Sequence, residues 1–454
     1  MYRVLLSLGM ACALLPFIPR HAMAQAGEPP APPAYDLNHV LEPAPTRPSA
    51  LPPVETIGLQ QALDLALAAS PELSAARHES DAVAATIRQA GLIPNPSVSM
   101  GIEDTRRDTR TSTLEISQPI ELGGKRAARV TAATRAHEAA QAELLGRQAD
   151  VRAAVITAFF TVLHAQERLE LAEASLDIAR RGSEIAGKRV KAGKVSPVEE
   201  TRARIAEAGV RLEANQAAGE LAVARRKLAA TWGRGQPHFA RADGRMTALP
   251  ELPALATMEA QLDASPAMQR ARAEVQRWEA VSDLEKRKRT PDLTVSFGVQ
   301  REAELGRNQG LIGVSIPLPL FDRNQGNLLE ALRRTDKARD ELQAASLRLD
   351  GDLAQAHERL NQARIQAGTL EREVLPAAQS AYDAAAKGFE FGKFDFLDVL
   401  DAQRTLLQAR SQYLRALAEA HTAAAEIERL LGSAAPSPIP ASPHGDAIPH
   451  SAGR

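Results

Sequence analysis

The sequence predicts a mainly α-helical chain that also carries four short alternating strands and is built from a duplicated half-molecule. Three observations predict it. Aromatic residues make up only 4% of the 454 residues and alanine is abundant, which favours long helices packed through small side chains. Two segments of about 67 residues, 124–190 and 325–391, contain a single proline between them, Pro376. Four short segments alternate apolar and polar residues with the period-two pattern of a strand.

Composition excludes several classes. Fifty-five basic against 56 acidic side chains leave a net charge of −1, without the basic excess of a nucleic-acid binder. Cys12 is the one cysteine, so there is no disulfide scaffold. Beyond the N-terminus no stretch reaches the roughly 18 uncharged apolar residues of a spanning helix. The longest, Ala153 to Ala165, is shorter and contains His164.

At the N-terminus Arg3, the apolar run Val4 to Ile18 and Ala22-Met23-Ala24 read as a signal peptide over 1–24, implying export from the cytoplasm. Gly9-Met10-Ala11 lacks the aliphatic residue usual three positions before a lipidated cysteine, which disfavours an anchor on Cys12. Residues 25–55 are proline-rich and read as a linker, since proline removes a backbone donor. The tail 433–454 repeats that composition. Its His444 and His450 read as solvated, not as metal ligands.

The region between divides into two repeats, 56–233 and 254–432, joined by an equatorial linker at 234–253. Ser70-Pro71 is matched by Ser265-Pro266 at an offset of 195, and Gly193 by Gly392 at 199. Each repeat reads helix, two strands, very long helix, turn, helix. The first has a hairpin over 97–119, a long helix at 124–190 and a returning helix at 196–232. The second has strands at 292–301 and 310–317, a long helix at 325–391 and a returning helix at 396–431. Val98, Met100 and Ile102 alternate with Ser97, Ser99 and Gly101, and Val295, Phe297 and Val299 with Thr294, Ser296 and Gly298. Hairpins on a helical core and strands of a lipid-facing barrel both fit this pattern. Four strands cannot close a barrel, which needs about eight or more, so a barrel would require several copies.

A 67-residue helix is about 100 Å long, longer than a globular core. The second long helix carries a heptad of Leu342, Leu349, Ala356, Ala363, Leu370 and Ala377, flanked by Ser346, Leu353, Leu360, Ala367, Val374 and Ala381. This predicts a coiled-coil seam. The last helix carries Val399, Leu406, Tyr413, Ala420 and Ile427 beside Ala402, Ala409, Ala416, Ala423 and Leu430, two stripes suited to neighbours on two sides. Ser196-Pro197-Val198-Glu199 reads as a capping box with proline at the first helical position. Asp395 is its counterpart as N-cap, and Gly193 and Gly392 loosen the backbone before each cap.

Gln118-Pro119-Ile120-Glu121-Leu122-Gly123-Gly124-Lys125-Arg126, Pro317-Leu318-Pro319-Leu320-Phe321-Asp322-Arg323-Asn324-Gln325-Gly326 and the two glycine-containing tips resemble the TolC-like outer-membrane channels of Gram-negative tripartite efflux pumps. The first two motifs are most similar to the branch serving heavy-metal (cobalt–zinc–cadmium type) exporters. The resemblance implies a homotrimer with a twelve-stranded barrel and a periplasmic tunnel of about 100 Å. It also implies a periplasmic adaptor (membrane fusion protein) and an inner-membrane RND pump as partners, with outer-membrane lipid around the barrel. It places the tips at the inner end of the tunnel, where Gly193, Lys194, Ser196, Gly392, Lys393 and Phe394 would meet the adaptor. Asp398 and Asp401, one helical turn apart, and Glu199 would line a pore constriction that favours cations. Glu199 and Asp398 also suit the positive end of a helix N-terminus. There is no glycine-rich nucleotide loop, His-Glu-x-x-His motif or nucleophile triad, so neither enzymatic activity nor a cofactor is expected. His78, His137, His164, His357 and His421 read as packing or surface residues.

Overall fold

The computed structural model describes residues 54–104, 106–391, 393–394 and 396–432. The signal segment 1–24, most of the linker 25–55, Gly392, Asp395 and the tail 433–454 lie outside them. All described residues belong to the unit Pro52–Arg454.

In chain order the elements are β1 (Val54–Gly58), α1 (Leu59–Ala69), α2 (Pro71–Ala90), β2 (Ser97–Glu103), β3 (Thr111–Ile120), α3 (Lys125–Lys191) and α4 (Pro197–Ala230). There follow β4 (Phe239–Asp243), α5 (Leu255–Leu262), α6 (Pro266–Arg287), β5 (Leu293–Glu302) and β6 (Arg307–Ser315). The chain then runs through α7 (Gln325–Thr369), a π-helical turn at Leu370–Val374, α8 (Leu375–Glu390) and α9 (Phe396–Leu431). The series of helix, two strands, long helix and returning helix thus occurs twice.

Pro71, Pro197 and Pro266 each open a helix, where the missing N–H has no intrahelical partner to lose. The short helices then stack end to end. Gly233 and Gly432 end α4 and α9 in the left-handed region, at φ +77 and +72, and pack against Pro71 and Pro266. A Cβ there would stand 2.9 Å from Pro71 Cγ or 2.8 Å from Pro266 Cδ, so only glycine fits. Thus α4 continues into α2, and α9 into α6. Laterally, α3 packs against α2, α4, α6 and α9, while α7 packs against α6 and α9. The wall therefore runs α2/α4, α3, α6/α9, α7/α8. The sheet has the same sense, β2-β3-β5-β6, antiparallel throughout.

Half-way along the helices lies the main core. Val155, Phe159, Phe160, Leu163, Leu228 and Trp232 are buried there. This is where the expected linkers are corrected. Val54 and Glu55 are not linker but the start of β1, and 234–253 contains β4. The two strands pair in parallel, Val54 with Phe239 and Thr56 with Arg241. Gln166 on α3 pins β4, its amide donating to Ala242 O (3.1 Å) and accepting from Ala242 N (2.8 Å).

The second long helix also departs from its expected pattern. The heptad holds from Leu349 through Leu353, Ala356, Leu360, Ala363 and Ala367 to Leu370, all buried. Beyond it Ala377 and Ala381 are exposed. Ala378 and Ala385 are buried instead, with Leu375 and Tyr382 packed beside Ala378. The π-helical turn inserts one residue and moves the seam on by one. Its cause is Pro376, whose ring would meet the carbonyl of residue 372 in a regular α-helix. The wider turn moves that carbonyl away.

Candidate functional site

The four-stranded sheet has two unlike faces. Val98, Ile116, Phe297 and Ile312 lie in register across one face, and so do Met100, Leu114 and Val299. All of these are exposed, Ile312 to 79%. The other face carries Ser97, Ser99, Thr113, Glu115, Ser117, Ser296 and Gly313 in register. An apolar face that covers four strands is a membrane or protein contact. With 7 to 10 residues the strands approach the 9–11 of a tilted membrane strand. No helix among the described residues is long and apolar enough to cross a membrane.

Beneath the sheet, the two sequence motifs build the joint to the helices. Gly123 and Gly124 turn the chain at φ +70 and +71. Lys125 Nζ and Leu122 N then both donate to Asp292 Oδ1, at 2.8 and 3.1 Å. Arg129 forks onto the Glu121 carboxylate and donates to Ala90 O and Leu92 O. In the second motif Asn324, at φ 57, donates through Nδ2 to Glu285 O and Oε2. Burial opposes ionisation of Glu285, but the Asn324 bond and the Lys288 ammonium prevail and hold its carboxyl below the usual range. Replacing Asp292 by alanine is expected to cost about 1–3 kcal/mol, because it leaves the buried Lys125 ammonium without its acceptor. Denaturant titration followed by circular dichroism measures this.

At the other end, α3 turns into α4 and α8 into α9. Gly193 takes φ +68 after α3. Gly193, Lys194 and Ser196 are exposed. The expected capping box is not formed among the described residues: Ser196 Oγ caps the helix by accepting from Val198 N, its second residue, at 3.3 Å, and Glu199 N donates to the Ser196 carbonyl. Glu199 is partly exposed at the third position of α4, where a carboxylate meets the helix dipole favourably. Beside it a groove of about 530 Å³ between α3 and α4 is lined by Ser183, Lys188, Lys191, Glu200, Arg204 and Glu207.

The second tip is closed by its own residues. Lys393 N and Phe394 N both donate to Gly388 O, at 2.8 and 3.3 Å. The Phe394 ring lies over Gly388, where a Cβ would overlap it. Asp398 and Asp401 are both exposed on the first turns of α9, and Asp401 O accepts from Thr405 Oγ1. Near the tips a contact that the residue pattern did not indicate joins α3 to α8, with the Arg189 guanidinium 4.4 Å from the Phe389 ring centre. Glu199 and the Asp398–Asp401 pair thus stand on separate helices of the single chain.

A sheet with one apolar face, continuous through a hydrogen-bonded joint with helices of about 100 Å, defines a wall segment of a membrane-anchored duct. The sequence matches the model of the outer membrane efflux protein family twice, over residues 62–234 and 257–433, and the chain belongs to that family of outer-membrane efflux channels. It is 47% identical to the cobalt-zinc-cadmium resistance protein CzcC of Cupriavidus metallidurans over 432 residues, which cover 95% of this chain and 100% of the relative. It is 30% identical to the nickel and cobalt resistance protein CnrC of the same organism, over 65% of this chain and 70% of that protein. Among solved structures, the CusC channel superposes with a TM-score of 0.71 at 18% identity, over 86% of this chain and 99% of that one. VceC of Vibrio cholerae does so with 0.66 at 21% identity, over 82% and 96%. The likeness to these structures establishes the fold.

Proposed function

We propose that the chain is the exit duct of a tripartite efflux system and works as a homotrimer. Three four-stranded sheets close one twelve-stranded barrel in outer-membrane lipid, and the helices of three copies form the periplasmic tunnel. The observation that carries this reading is the open sheet: among the described residues its edges β2 and β6 have no strand partner, and its apolar face is exposed. A periplasmic coiled-coil adaptor or scaffold, the competing reading, has no use for such a face. The duct is passive. A periplasmic adaptor joins it at Gly193, Lys194, Ser196, Gly392, Lys393 and Phe394, and an inner-membrane RND pump drives transport. The proposed cargo is heavy-metal cations, supported by the metal-resistance relatives; an organic-compound duct of the same family is the alternative. Asp398, Asp401 and Glu199 form the cation-favouring constriction.

Two measurements test this reading. Deleting the gene is expected to lower tolerance of cobalt, zinc or cadmium and leave tolerance of hydrophobic dyes unchanged; the reverse result selects the organic-compound duct. In planar bilayers, Asp401→Asn trimers are expected to shift their reversal potential in a salt gradient toward anions, since each trimer loses three carboxylates from one ring. An unchanged potential removes Asp401 from the constriction.

A further inference from the structure

The barrel reading leaves open what holds the sheet at the periplasmic surface of the membrane. A membrane barrel ordinarily carries a girdle of aromatic residues at each interface. This chain has no tyrosine or tryptophan to build one. Its six are Tyr2, Tyr35, Trp232, Trp278, Tyr382 and Tyr413, and none falls in 88–129 or 283–329, the segments that form the sheet and the joint beneath it.

Charge is distributed unevenly instead. The turns at the far end of the sheet, 103–111 and 301–307, hold five cationic and five anionic residues. The joint, formed by 88–96, 118–129, 283–292 and 316–329, holds nine cationic and five anionic residues. Four of those carboxylates are already matched: Asp292 with Lys125, Glu121 with Arg129, Asp283 with Arg287 and Glu285 with Lys288. The fifth, Asp322, accepts from Asn324 N. Arg88, Arg126, Lys286, Arg289 and Arg323 are exposed and have no carboxylate partner among the described residues. Arg126 even stands in the first turn of α3, where the helix dipole opposes a cation and no acidic residue offsets it. Its Nε donates to Gly91 O at 2.6 Å.

Three of these cations lie in the middle of the chain's own wall. Arg126 follows β3, and Lys286 and Arg289 precede β5, the two inner strands of the sheet. Neighbouring copies would join at β2 and β6 and leave this place open. Apolar surface adjoins it. Ile120 closes β3 on the same face as Leu114 and Ile116, Leu122 follows two residues on, and both are exposed. The end of α6 abuts the next residue: Arg287 Nη1 donates to Gly123 O, and a Cβ on Gly123 would stand 2.8 Å from Thr290. The oily face therefore ends at unmatched cations, the order of groups that a lipid presents from acyl chain to phosphate.

Resting on the barrel reading, we propose that this rim binds anionic phospholipid of the periplasmic leaflet. Arg126, Lys286 and Arg289 hold the phosphate, and Ile120 and Leu122 meet the upper acyl chains. Unmatched cations select anionic over zwitterionic lipid, because a zwitterion carries its own ammonium beside the phosphate. The same cations facing the lumen would oppose the cation traffic proposed above. In a trimer the site recurs three times around the barrel and sets its depth in place of an aromatic girdle.

Lipid retention tests the site. Trimers stripped of lipid in detergent are titrated with dioleoylphosphatidylglycerol or dioleoylphosphatidylethanolamine and read by native mass spectrometry. The parent is expected to prefer phosphatidylglycerol. Lys286→Gln/Arg289→Gln should weaken that binding by about 30-fold, a factor of about five for each cation, and leave phosphatidylethanolamine unchanged. Lys286→Arg/Arg289→Lys, which keeps both charges, should bind as the parent does. Equal retention of the two lipids by the parent, or an undiminished preference in the glutamine variant, overturns the site. So does a reversal potential that moves toward cations in planar bilayers of the glutamine variant, which assigns the two side chains to the lumen. Light scattering separates the underlying reading: a trimer that fails these tests leaves the barrel standing, and a purely monomeric protein overturns both.

Discussion

Phe159→Ala is expected to cost the fold about 3–5 kcal/mol, enough to abolish assembled channel at 37 °C. Phe159 is 1% exposed and sits edge-on to Phe160, with ring centres 5.8 Å apart. It belongs to the core where α3 meets α1, α4, β4 and α9. Gly244 shows how full that site is, since a Cβ there would stand 3.1 Å from the Phe159 ring and 3.0 Å from Leu163. Truncation opens a cavity that a wall of continuous helices cannot collapse to fill. Thermal melting of detergent-solubilised protein measures the loss. Phe159→Leu, which keeps most of the volume, is expected to recover more than half of it. Equal melting temperatures for Phe159→Ala and the parent would remove this residue from the core.

Acid is expected to have the next largest effect. His421 is 5% exposed, stacked on Phe160 with ring centres 3.6 Å apart and bonded to Met246 O at 2.9 Å. Burial lowers its pKa, against the opposing pull of that hydrogen bond. Burial also lowers that of His164, with help from Arg168 and Arg415. The folded chain keeps both rings neutral at pH values where the unfolded chain takes up protons. Their contribution is complete above about pH 6.5 and is lost as pH falls from there through the lowered folded values, with a slope of up to about 1.4 kcal/mol per pH unit for each ring. Melting temperatures measured from pH 7.5 to 5.0 should fall, and His421→Gln should flatten the curve. A flat parent curve would sink the assignment.

Much of the fold was readable because its signals are local. Proline-free length gave α3, period-two alternation gave β2, β3, β5 and β6, and paired serine–proline steps gave the starts of α2 and α6. The β1–β4 pair was not readable. Each strand has five residues, and the partners lie some 180 positions apart within stretches that otherwise look like linkers. The one-residue shift after Leu370 was hidden because the apolar pattern fits either phase, and Pro376 was the only trace of it. At the candidate site the residue types at the tips were legible. The partners of the barrel joint were not: Lys125 finds Asp292 at 167 positions' distance and Asn324 finds Glu285 at 39. Such pairings are set by how the sheet sits on the helices, which no short motif records.

The open sheet also has a consequence for biogenesis. Until neighbours arrive, a newly exported chain exposes two strand edges and an uncovered oily face, the surface that templates aggregation. The helical half can complete most of its hydrogen bonds alone, because a helix pairs all but its terminal backbone groups internally. The strands gain edge partners only when copies meet, and cover for their oily face only in lipid. The expected order is therefore helices first and barrel last, with the interval between them the time when a periplasmic holding chaperone would be needed.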